Sequence, residues 1–131
     1  MVTLAGLALA AGPAGAAAPT LRLTILHVVS HCHVWATASL RELGASTTLS
    51  VKPGTRVVVR PDCPMDFVFV QTKGPKVALG DPLTHAGTQR VLVFRRAGLY
   101  VFKVKNVQTP EEVGLQVLGE ANTLTLRVRV G

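Results

Sequence analysis

Acidic residues are few in this sequence: seven Asp and Glu stand against fourteen Lys and Arg in 131 residues, for a formal charge of +7. Carboxylates for acid–base work are therefore scarce, no serine sits in a strand-turn-helix nucleophile setting, and no Ser, His and Asp grouping emerges, so the chain is read as a non-enzyme. Aromatic residues make up only 5% and do not interleave with the basic ones, which argues against specific nucleic-acid binding, where bases stack on aromatic platforms. No stretch approaches the roughly 18 apolar residues that a membrane-spanning helix needs. Gly74-Pro75-Lys76 lacks the outer glycine and the hydroxyl residue of a phosphate loop. Helix-period hydrophobic patterns are almost missing, and cysteine occurs only twice, at Cys32 and Cys63.

What is present begins with an apolar run of about ten residues, Val2 to Ala11, followed by Gly12-Pro13 and the small residues Ala14-Gly15-Ala16. This is the pattern of a secretory signal, and residues 1–18 are read as one, with cleavage near Ala17. The expected location is then secreted or in the cell envelope. Residues 19–131 are long enough for one domain with a core of its own. The positive charge is scattered along the strands, and it favours an acidic protein or an anionic cell-surface polymer as partner.

The remaining sequence alternates strand patterns with turn signals. Leu21, Leu23, Ile25, His27 and Val29 share one face of a first strand, which places His27 on an apolar face as a core histidine. Ser30-His31-Cys32-His33-Val34-Trp35 follows, with Trp35 as a packing anchor. Leu40 to Gly44 reads as a short connection. Thr47 to Val51 is a strand, the turn Pro53-Gly54 leads into Thr55 to Arg60, and the loop Pro61 to Met65 precedes the strand Asp66 to Gln71. Arg90 to Phe94 and Leu99 to Val104 form a hairpin closed at Ala97-Gly98, and Thr123 to Val130 alternates without interruption. Phe67, Phe69, Tyr100, Phe102, Leu124 and Leu126 are expected to face inward. Seven to eight strands in this order predict an all-β, Greek-key antiparallel β-sandwich.

The turn Val51-Lys52-Pro53-Gly54-Thr55, the loop before the Phe-rich strand, the hairpin Val93 to Tyr100 and the last Leu/Val strand together resemble the cupredoxin family over about Thr20 to Val130. The resemblance implies an exported two-sheet sandwich and points to copper. It also implies a histidine in the loop that here reads Asp62-Cys63-Pro64-Met65-Asp66, and a cysteine, a histidine and often a methionine after the hairpin. Lys105 to Asn122 contains none of those three. A blue-copper centre needs two histidines and a cysteinate, so electron transfer is not carried over.

The candidate metal ligands are instead His31, Cys32 and His33 after the first strand, and Cys63 and Met65 in the central loop. The resemblance puts both groups at one end of the sandwich. Thiolate, thioether and imidazole together suit copper, particularly Cu(I), whereas two Cys and two His alone would suit zinc. His85 could bind metal weakly. The same two cysteines allow a Cys32–Cys63 disulfide, common in exported proteins, or two free thiols. Two functions stay open: an exported copper-binding protein with non-standard ligands, or a metal-free binding or structural module of the cell envelope stapled by that disulfide.

Overall fold

The computed structural model describes residues 19–28, 33–63, 65–107 and 123–131. Its strands are β1 (Thr20–His27), β2 (His33–Thr37), β3 (Glu42–Gly44), β4 (Ser46–Val51), β5 (Thr55–Asp62), β6 (Asp66–Lys73), β7 (Leu83–Thr84), β8 (Arg90–Phe94), β9 (Gly98–Val107) and β10 (Thr123–Val130). They form two five-stranded sheets, ordered β4-β10-β9-β6-β7 and β3-β2-β1-β5-β8. Among the described residues no helix is long and apolar enough to cross a membrane.

The all-β sandwich is what the alternating patterns predict, but its sheets are mixed rather than antiparallel. β1 runs parallel to β5, and β4 runs parallel to β10. Ten strands rather than seven or eight are found among the described residues, because short pieces pair at the edges. Glu42–Gly44, expected as a bare connection, is one of them: it pairs with β2, and β4 begins two residues later in the opposite sheet. Gly44 adopts φ 87° at this crossing, a conformation natural only to glycine. β5 also extends through Pro61, which was expected in a loop. Pairing with β8 ends at Val59↔Arg90, so one side of β5 is open there and the missing N–H of Pro61 breaks no ladder on that side.

The core lies between the inner faces. Leu23, Ile25, Trp35, Val57, Val59, Leu92 and Phe94 come from one sheet; Phe67, Phe69, Tyr100, Phe102, Val104, Leu124, Leu126 and Val128 come from the other. All six residues expected to face inward are buried, whereas Val70, on the opposite face of β6, is 45% exposed. Trp35 is the packing anchor expected of it, and its Nε1 donates to Thr125 O at 2.9 Å, tying the two sheets together.

The long connection from β6 to β7 closes the other side of the sandwich. Val77 enters the core, and two polar side chains fasten the backbone around it. Gln71 Nε2 donates to the carbonyls of Lys73, Gly74 and Pro75, while Gln71 Oε1 accepts from Val77 N. Arg90 donates to the carbonyls of Leu79, Asp81 and Leu83 and to Thr84 Oγ1, with its guanidinium over the Phe69 ring.

Candidate functional site

Antiparallel pairing of β1 with β2 ends at His27↔His33. Their imidazoles meet edge to face with centroids 5.3 Å apart, and His33 makes a second such contact with Phe67 at 5.2 Å. His33 is buried and His27 exposed, which corrects the reading of His27 as a core histidine. His27 keeps the inward direction of Leu23 and Ile25, but it stands at the rim, where the sheet runs out. His33, two residues before Trp35 on the same face, is the histidine inside.

Parallel pairing of β1 with β5 ends at Leu26↔Asp62. Cys63 follows Asp62 just past the end of β5, as His27 follows Leu26 at the end of β1. His33, His27 and Cys63 thus lie at the end of the sandwich where β1 and β5 stop and β2 starts. Met65, two residues after Cys63, packs like it against the core. Its Sδ accepts a hydrogen bond from Asn106 Nδ2 at 3.5 Å. Asn106 Oδ1 is buried and accepts no hydrogen bond from the described residues.

Cys63 forms no bridge among the described residues. Burial pushes its thiol up to about 11, with a further push from the Asp62 carboxylate and an opposing pull from the Met65 backbone. The sulfur is therefore a thiol at neutral pH. At the start of β6, Asp66 accepts hydrogen bonds from Ala86 N at 2.9 Å and His85 Nδ1 at 3.0 Å. The backbone N–H first and the histidine second hold the Asp66 carboxyl below its ordinary value. His85 is thus engaged with Asp66.

Of the expected ligands, the structure brings His33, Cys63 and Met65 to one end of the sandwich. His31 and Cys32 lie outside the described residues. Among the described residues no three His, Cys, Asp or Glu side chains converge closely enough to hold a metal ion. The donor chemistry nevertheless fits in part. Two imidazoles on one ion at 2.0–2.1 Å bond lengths would put their centroids roughly 5 Å apart, and His27 and His33 already stand at that separation. The parts missed in the sequence are the rim position of His27 and the role of Asn106. Only the β1–β2 register, which pairs His27 with His33, carried a signal for the first.

No protein-family model matches the chain, and no curated protein matches it. Among solved structures it is similar to the cysteine protease inhibitor of Entamoeba histolytica, at 12% identity and a TM-score of 0.46, over 86% of this chain and 96% of that one. It is also similar to a reduced amicyanin variant, at 16% identity and a TM-score of 0.45, over 87% of this chain and 82% of that one. Likenesses of this degree carry nothing about ligands or partners.

Proposed function

We propose that this is an exported, non-enzymatic, cupredoxin-like sandwich that takes up a soft metal ion, reduced copper, at the end where β1 and β5 finish and β2 begins. The observation that carries the reading is the His27–His33 imidazole pair, at the end of the sandwich where Cys63 and Met65 also lie. Imidazole and thioether bind without losing a proton, so His27, His33 and Met65 act first. Cys63 joins only as a thiolate, and with its thiol near 11 its recruitment releases one proton per ion. Bound copper would be cargo or a one-electron centre. Export rests on the apolar pattern of residues 1–18. The excess of cations supports an anionic cell-surface polymer as the second partner.

Titration of the purified chain with Cu(I), anaerobically and against a chromogenic chelator, tests the site. One equivalent should be retained, with His27→Ala and Met65→Leu each weakening retention by roughly tenfold or more. Failure of the unaltered protein to compete for copper would end the proposal. So would a His27→Ala variant that binds as well as the parent.

A metal-free module of the cell envelope, with Cys63 paired to Cys32, is the second reading. The burial that keeps Cys63 protonated favours it over a thiolate site. Thiol counting on native protein separates the two, since a bridge leaves no reactive thiol and a copper site protects Cys63 until a chelator removes the metal.

A further inference from the structure

The free edge of β8 has the makings of a peptide site, distinct from the metal-binding end. Arg56 N donates to Pro19 O on the β1 side of β5, and Phe94 O accepts from Gly54 N on the β5 side of β8. Backbone groups alternate in direction along a strand. Thr55, Val57 and Val59 therefore face β8, Leu92 and Phe94 face β5, and Val91 and Val93 turn their N–H and C=O groups outward. Among the described residues none bonds to those outward groups.

Beside this edge lies a groove of about 530 Å³, walled on its far side by the Pro75 to Ala78 segment, with Tyr100 also lining it. The wall is built in place. The Gln71 side chain holds it from behind, and a Cβ on Gly74 would come within 2.5 Å of Leu99 O, so only glycine lets the segment lie this close to β9. At the lower end the hairpin turn is fixed by Tyr100 Oη donating to Arg96 O at 2.7 Å. The groove is thus a preformed slot.

Its charge is of one sign. Lys76, Arg95 and Arg96 line it, no acidic residue does, and Arg56 lies across from Val93 on β5. An exposed strand edge offers backbone pairing to any extended chain, and the surrounding side chains decide which chain fits. We infer that β8 accepts an extended acidic peptide segment of a partner protein as an added strand, its backbone pairing with Val91 and Val93 and its carboxylates meeting Lys76, Arg95 and Arg96. Repulsion by these cations would at the same time keep a second copy of the chain from pairing there.

A fluorescein-labelled hexapeptide alternating glutamate and valine, added to the full chain and followed by anisotropy, is the probe. Binding should weaken roughly tenfold or more in each of three cases: lysine in place of glutamate, N-methylation of alternate backbone amides in the peptide, and the double variant Arg95→Glu with Arg96→Glu. Val93→Pro removes an outward N–H at an edge position where proline is tolerated, and should abolish binding while leaving the thermal midpoint near that of the parent. The N-methyl peptide makes the same test with the protein unaltered. No binding of the acidic peptide, equal binding of the N-methyl peptide, or a dimer of this chain that Val93→Pro dissolves would each overturn the inference.

Discussion

Cys63 places an ionisable group where water reaches it poorly. Its ordinary thiol value of 9.0 rises to about 11 in the folded chain, chiefly because burial penalises the thiolate. The unfolded chain therefore releases this proton first as pH rises, and between those values the folded state binds more protons. Stability must fall with increasing pH across that interval and stop changing on this account above it. Thermal melts of the parent and of Cys63→Ala should diverge between pH 8 and 11, with the parent losing midpoint as pH rises and the variant losing less. Parallel curves would mean that Cys63 is not held in this environment. At the same scale, the two histidines show what residue patterns can and cannot reveal. Period-two alternation gave the correct face for His27, but not that the sheet ends there, because a strand's last residue points inward with nothing left to cover it.

Among the elements, the β6–β7 connection depends most on one residue type. Gly74 has φ 100°, and a Cβ there would press on Leu99 O at 2.5 Å and Tyr100 Cα at 2.9 Å, both backbone atoms that cannot swing aside. Gly80, in the same connection, has φ 62° and open space around it. Gly80→Ala should therefore cost only the left-handed penalty, about 1–2 kcal/mol. Gly74→Ala should cost clearly more, as the wall is pushed away from β9. Urea melts of the two variants decide it, and equal costs would show that the wall yields freely. The strands themselves were legible wherever one face met the core, as in β6, β9 and β10, since alternation then records burial directly. Parallel pairing of β1 with β5 and of β4 with β10 was not, because it joins segments far apart in sequence and leaves no local mark. The site was legible in the same measure: a cluster of His and Cys residues stands out in a sequence, whereas Asn106 becomes notable only when its buried oxygen finds no donor among the described residues.

Charge belongs to the whole molecule. Lys103 and Lys105 on β9 and Arg127 and Arg129 on β10 alternate with the buried residues of those strands, so all four stand on the outer face of one sheet. Lys73, paired with Val101, joins them. β4, β9 and β10 contain no acidic residue, and the single one on β6, Asp66, lies at the rim and is bonded to His85 and Ala86. Hydroxyls fill the intervals: Arg127 Nη1 donates to Ser46 Oγ at 2.8 Å, and Lys103 Nζ to Thr125 Oγ1 at 2.9 Å. Such a flat face, with cations at strand spacing and no exposed aromatic ring, suits the proposed anionic polymer better than a stacked base. Five like charges also repel one another, and a polyanion relieves that repulsion. Retention on a heparin column should therefore be strong at low salt and fall steeply as salt screens the contacts. Lys103→Glu with Arg127→Glu should elute well before the parent, while Arg56→Glu with Arg60→Glu on the opposite sheet, which changes net charge by the same amount, should shift elution much less. Equal shifts from the two pairs would mean that the column reads net charge alone and that this face docks nothing in particular.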